Sequence, residues 1–257
     1  MTNLERDLKQ WLECERTQLM GKFLDYGGTR AIHRGGGDIE FAYIPGSRRD
    51  RVLLVAHTDT VWDAHSGFPA PVSYKDGVFR SGSPHLGIGA DDRAGCAMLW
   101  HLRNLGHSLL LTSGEENGCR SSHWIMEQNR DVAKSIQDHR FLVQFDRSGA
   151  CDFKCYSVGT PAFREYVRVA TGYEEPDQLS NTDIVVLARK VCGVNLSVGY
   201  YLEHTTREQL VFEEWKYTLD KSKHWLSGEN LPKFERDRSS WNNRFLSVFF
   251  KTTNKGA

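Results

Sequence analysis

A chain of 257 residues has room for one large α/β domain with a substantial core, or for two small ones. Lys plus Arg and Asp plus Glu number 33 each, so the formal charge is zero; 39% of the residues are hydrophobic and 26% charged. That balance excludes a global basic surface for nucleic acid and an acidic solvating tail, and no apolar run approaches the roughly 20 residues of a membrane span.

The start, MTNLERDLKQ, is charged and lacks the apolar core of a signal peptide, which predicts a cytoplasmic protein with no membrane partner. Residues 1–39 read as an N-terminal helical region. There LERDLKQWLECERTQLM sets Leu4, Leu8, Trp11 and Leu12 on one face of an amphipathic helix. FAYIPG and RVLLVAH predict two strands joined by the turn GSRRD; the second is β-branched and apolar throughout, as in a strand covered on both faces. DDRAGCAMLWHLRNLG predicts a helix with a glycine stop, and SLLLTSG and FLVQFD predict buried strands. NTDIVVLARKV and TREQLVFEEWKYTLDKSKHWL are predicted helices, with VNLSVGYY as a strand between them. The tail, 227–257, mixes charges, Asn and the run FLSVFF, and is expected to add a terminal element or pack on the surface. There is no internal repeat. Strands alternating with helices predict an α/β fold: a mostly parallel or mixed central sheet with helices on both faces, in one domain over 1–257. The cysteines, Cys14, Cys96, Cys119, Cys151, Cys155 and Cys192, are scattered through these segments and read as ordinary thiols.

Polar residues gather where the predicted strands end. Period two puts His57 and Asp59 of VAHTDTVW on the same side of an extended chain. The carboxyl end of a central strand is where open α/β sheets place ligands. Alone, the pair also reads as a capping His and a turn-starting Asp. In LGIGADDRAG, Asp91 and Asp92 stand at a helix start, where one acid would suffice as a cap. In LLLTSGEENG, Glu115 and Glu116 are adjacent like charges at a strand end, a cost that a bound cation or a shared proton relieves. Asp146 ends FLVQFD, and His204 follows VNLSVGYY. In a parallel sheet all these strand ends lie on one edge, so separate surface explanations for every site are improbable together. Two histidines with several carboxylates suit zinc, with cobalt or manganese as substitutes. Three or more carboxylates exceed what one tetrahedral zinc needs and point to two metals bridged by a carboxylate.

The order VAHTDTVW, GIGADDRAG, TSGEENG, QFDRSG and LSVGYYLEHTTRE resembles the co-catalytic dizinc exopeptidases, the clan of zinc aminopeptidases, peptidase T and glutamate-releasing carboxypeptidases. The resemblance runs from about residue 40 to residue 225. It implies a zinc-exopeptidase-like three-layer sandwich and two Zn2+. His57 would bind the first metal, with Asp59 behind it orienting the imidazole. Asp91 would bridge both metals and be followed by a cis peptide to Asp92. Glu115 would be the general base and Glu116 a ligand of the second metal. Asp146 would complete the first ligand set and His204 the second. Many members of the carboxypeptidase branch insert a lid between the residues matching Asp146 and His204. Here only residues 147–203, 57 in all, separate them, too few for a separate domain of about 100 residues.

The expectation is therefore a metal-dependent exopeptidase acting on short peptides, an aminopeptidase first. The alternatives are a zinc amidohydrolase that deacylates N-acyl amino acids and a non-catalytic peptide-binding module of the same fold. A purely structural zinc protein fits less well, because neither folding nor metal binding needs a non-ligand acid at Glu115. Arg147 and Arg207 are candidates for substrate contact and read equally well as surface arginines. One of Tyr200 and Tyr201 is expected to face the site and the other the core. His65, His85 and His123 read as surface or core histidines.

Overall fold

The computed structural model describes residues 1–27, 29–33, 39–177 and 182–236. The FLSVFF run of the tail lies outside them, as does the first residue of NTDIVVLARKV.

The chain opens with α1 (Asn3–Leu12), whose Thr2 hydroxyl accepts the Glu5 N–H while the Glu5 carboxylate accepts the Thr2 N–H, a capping box. A second helix, α2 (Arg16–Tyr26), follows after a break. The single helix expected across this stretch is thus two. At the break the Arg93 Nε–H donates to the Cys14 carbonyl (2.9 Å), and the Glu13 carboxylate accepts the Val72 N–H (2.7 Å). A carbonyl committed to a distant guanidinium is one that a continuous helix would have needed.

The main sheet has the order β1 (Thr29–His33), β2 (Ile39–Ile44), β6 (Ser108–Thr112), β3 (Leu53–His57), β7 (Leu142–Arg147), β9 (Gly193–Ser197) and β8 (Phe153–Lys154). β6, β3, β7 and β9 run parallel; β1, β2 and β8 are antiparallel to their neighbours. FAYIPG and RVLLVAH are both strands, as expected, but they are not neighbours in the sheet, because β6 lies between β2 and β3. β6 is buried along its whole length, so it needs a partner on each side. The turn after β2 instead rests on the residues before β6, with the Gly46 N–H on the Ser108 hydroxyl and the Arg48 N–H on the Gly106 carbonyl.

Helices cover both faces. Leu54 and Ala56 of β3 pack into one apolar cluster with α1, α3 (Ala90–Leu102), α6 (Pro161–Thr171) and α8 (Phe212–Leu226). Leu53 and Val55 point the other way, into a cluster with α4 (Arg120–Gln128), α5 (Arg130–Gln137) and α7 (Asp183–Leu187). Period two in one strand thereby feeds two cores. The expected mixed α/β sandwich is the observed one.

A second, four-stranded antiparallel sheet was not anticipated: β10 (Tyr200–Tyr201), β11 (Gln209–Val211), β5 (Val78–Ser81) and β4 (Val72–Lys75). VNLSVGYY is therefore not one strand. It splits at Gly199, whose φ of +82° turns the chain from the first sheet into the second. TREQLVFEEWKYTLDKSKHWL likewise starts as β11 and becomes helical only at Phe212. Between Asp146 and His204 the described residues form β8, α6, α7, β9 and β10, and no lid domain intervenes.

Candidate metal centre

The carboxyl ends of β3 and β6 are in register, His57 opposite Thr112. Next to them β7 breaks register between Gln144 and Arg147. Asp146 lies in that irregularity, and its N–H donates to the Asn195 side chain (2.8 Å) instead of to a strand. The break frees the Asp146 carboxylate to face its neighbours at the sheet edge.

His57, Asp91, Glu116, Asp146 and His204 converge there. His57 Nε2 lies 3.0 Å from Asp91 Oδ1 and 3.4 Å from Asp146 Oδ1. His204 Nε2 lies 3.1 Å from Asp91 Oδ2 and 3.0 Å from Glu116 Oε2. The Asp91 carboxylate thus presents one oxygen to each histidine. The Asp91–Asp92 peptide is cis. Donor atoms of His57, Asp91 and Glu116 lie within 4.8 Å of one another, and so do those of His57, Asp92 and Asp146. Asp92 is tied to the main chain: its Oδ2 accepts the His57 main-chain N–H (3.1 Å) and its Oδ1 the Gly95 N–H (2.9 Å).

Asp59 lies behind His57, with one difference from the expected contact. The His57 Nδ1–H donates to the Asp59 main-chain carbonyl (2.9 Å), while the Asp59 carboxylate is 3.5 Å away. A carbonyl only accepts, so Nδ1 carries a proton, and Nε2 is the ring nitrogen left to face the carboxylates. The Asp59 carboxylate does other work. It accepts the N–H groups of Glu115 (3.3 Å) and Glu116 (3.2 Å), tying the first strand end to the paired acids. Glu115 belongs to neither donor group. Its Oε1 is 3.7 Å from the Cys119 thiol, and the residue stays next to the cluster.

The electrostatics suit a cation. Burial, with Asp146, Asp183 and Asp91 nearby, pushes Glu115 up to about 9. Burial and Asp91 push Asp146 up to about 6. Burial opposes a charge on His57, yet Asp146, Asp59 and Asp91 hold it well above its ordinary value. Hydrogen bonds to Asp91 and Glu116 push His204 up to about 11. Without a cation, these groups can lower their mutual repulsion only by holding protons. A divalent ion removes that cost, and an oxygen-rich set with two imidazoles is the donor chemistry zinc takes.

Further residues support these groups, and all of them but Tyr200 went unread in the sequence. Thr182 Oγ1 (2.7 Å), Gln144 Nε2 (2.9 Å) and the Tyr200 hydroxyl (3.2 Å) all donate to the Asp146 carboxylate. Buried Asp183 accepts from the Thr112 and Ser122 hydroxyls. Buried Glu208 accepts the N–H groups of Gly89 and Asp91, and burial pushes it up to about 7. Only the Glu in HTTRE, four residues past His204, could have signalled that role. Tyr200 is the tyrosine that faces the site; Tyr201 donates to Glu214 (2.7 Å). Arg147 is buried and bound in bidentate fashion to Asp152 (3.0 and 3.2 Å), which leaves it poorly placed for substrate, while Arg207 is exposed. His65, His85 and His123 are exposed.

No protein-family model and no curated protein matches the chain. Solved structures do. Aminopeptidase PepT from Bacillus cereus superposes with a TM-score of 0.65 at 16% identity, covering 87% of this chain and 97% of its own. A tripeptidase from Staphylococcus aureus gives 0.63 at 13%, covering 87% and 97%. An aminopeptidase from the archaeon Desulfurococcus kamchatkensis gives 0.60 at 12%, covering 88% and 95%. At these identities the likeness is one of fold. The chain has the three-layer fold of these peptidases, and its motif order resembles the dizinc exopeptidase clan. Among the described residues no helix is long and apolar enough to cross a membrane.

Proposed function

We propose that the protein is a metal-dependent exopeptidase of short peptides, an aminopeptidase in the first place, working with two zinc ions. The observation that carries the proposal is the Asp91 carboxylate, set between His57 on one side and His204 with Glu116 on the other. His57, Asp146 and one oxygen of Asp91 would hold one cation. His204, Glu116 and the other oxygen of Asp91 would hold the second. When bound, the pair supplies Lewis-acid activation of a water and of the scissile carbonyl.

The chain's own residues handle the proton and the geometry. Glu115, outside both ligand sets, takes the proton of the attacking water on its carboxylate and passes it to the leaving amine nitrogen. Asp59 holds Glu115 and Glu116 by their N–H groups and His57 by its ring, so base and ligands keep one spacing. The Tyr200 hydroxyl and Thr182 keep the Asp146 carboxylate aimed inward.

The test combines metal content with a peptide-library digest read by mass spectrometry. The expected result is about two zinc ions per chain and stepwise loss of residues from the amino terminus. Trimming from the carboxyl end, or release of acyl groups from N-acyl amino acids with no peptide cleavage, would overturn the aminopeptidase assignment. No bound metal and no turnover would overturn the enzyme.

A further inference from the structure

Glu208 has no part in the chemistry just described. It is 1% exposed and lies in the turn that leads from His204 into β11. Its Oε2 accepts the Gly89 N–H (2.7 Å) and its Oε1 the Asp91 N–H (3.1 Å). Gly89 is the N-cap of α3, and no side chain of its own segment caps that helix. A local capping residue has no room there. Gly89 has a φ of +64°, and a Cβ on it would fall 2.7 Å from Arg93 Nη1 and 2.8 Å from the Phe68 ring. The start of α3 is therefore capped from a distant part of the chain, by a residue that shares a turn with His204.

Resting on the two-cation reading above, we propose that Glu208 is the positioning residue for the bridging carboxylate. It fixes the Asp91 main chain so that one Asp91 oxygen faces His57 and the other faces His204. Two consequences separate this role from plain capping. First, His204 and Glu208 belong to one turn, so the bridging residue and the second cation's imidazole are set together. His57 and Asp146 sit on β3 and β7 and are held by other contacts, among them the Asp59 carbonyl and Thr182. Loss of Glu208 should therefore fall on the second cation first. Second, the segment before Asp91 is packed tightly against the same carboxylate. A Cβ on Gly87 would lie 2.5 Å from Glu208 Oε2 and 2.5 Å from Trp62 Nε1. A methyl group at Gly87 would displace the carboxylate without changing any charge.

The experiment is a calorimetric titration of Zn2+ into the chelator-stripped full-length protein, for wild type, Glu208→Gln and Gly87→Ala, with circular dichroism and thermal melting of each. Glu208→Gln keeps the size and one acceptor, but turns an NH2 toward an N–H donor. Wild type is expected to show two binding steps. Both variants should weaken the second step by about 10- to 100-fold, the usual loss when a residue supporting a ligand is removed. The first step should change much less, and the spectra should stay native. Peptide hydrolysis should be lost at limiting Zn2+ and largely recovered at saturating Zn2+. A lower melting temperature with both steps intact would reduce Glu208 to a helix cap and overturn the inference. Equal weakening of both steps would sever its link to His204. If wild type takes up no Zn2+ at all, the two-cation reading fails and this inference falls with it.

Discussion

Glu115 and Glu116 are neighbours of the same residue type with different surroundings. Glu116 points at His204 (3.0 Å), whereas Glu115 is set back beside Cys119 and Asp59. Glu115→Gln should keep its cations and lose turnover by roughly 10²–10⁴-fold, the usual share of a general base. Glu116→Gln should lose the second cation and regain part of its activity when Zn2+ is in excess. Assaying both variants at limiting and saturating Zn2+ decides the matter; recovery of Glu115→Gln by added Zn2+ would move it from base to ligand. Both acids stood out in the sequence as adjacent like charges at a strand end; the division of roles between them is what the resemblance implies. Glu208 and Thr182 were not. Each works through a hydrogen bond to a residue far away in the chain, Asp91 and Asp146, and nothing in its own neighbourhood announces that.

Elements with a strong local period were the readable ones: β3, β6 and α8 lie within the stretches predicted for them, and β7 and α3 overrun theirs by one residue each. The errors fall where a distant partner decides. α1 and α2 part where Arg93 takes the Cys14 carbonyl, β6 separates the two strands that GSRRD joins, and the second sheet is built from strands of two to four residues with no period to read. Tertiary contact also decides what two helix glycines do. Gly95 of α3 faces β7, and a Cβ there would overlap the Phe145 main-chain oxygen and the Asp92 carboxylate. Gly21 of α2 has nothing among the described residues within 4 Å of the same position. Gly95→Ala should therefore cost about 3 kcal/mol through overpacking and disturb Asp92, which holds the His57 main chain. Gly21→Ala should gain about 0.5–1 kcal/mol, the helix preference of Ala over Gly. Urea unfolding of the two variants checks the opposite signs. A neutral Gly95→Ala would mean that α3 does not rest on β7 as closely as described.

Across the whole molecule the two edges of the main sheet do different work. The carboxyl edge gathers the candidate metal centre; the opposite edge is closed by neutral, buried histidines. His107, just before β6, accepts the Val52 N–H at Nδ1 (3.3 Å) and donates from Nε2 to the Leu226 carbonyl (2.9 Å), joining the start of β3 to the end of α8. His139, before β7, donates from Nδ1 to the Ile136 carbonyl (3.1 Å), and its Nε2 is buried with no partner among the described residues. Burial pushes both down to about 4. The unfolded chain, with histidines near pH 6.5, binds more protons than the native state between those values. Stability is thus intact above about pH 6.5 and is lost as the pH falls toward 4, by about 3 kcal/mol for each histidine if the full difference is expressed. The carboxylates of the candidate metal centre also titrate on acidification, so the histidine share has to be isolated by difference. β6 carries His107 at one end and meets His57 through Thr112 at the other, roughly 16 Å away at about 3.3 Å per residue, so a change at position 107 leaves the site alone. His107→Gln keeps a donor for Leu226 but cannot take up a proton. It should be less stable than wild type at pH 7.5, where the native contacts of His107 are intact, and that deficit should shrink or reverse by pH 4.5. Urea midpoints measured for both proteins across this range test it. A constant deficit at every pH would show that His107 does not titrate on unfolding, and that acid loosens this fold only through the carboxylates of the other edge.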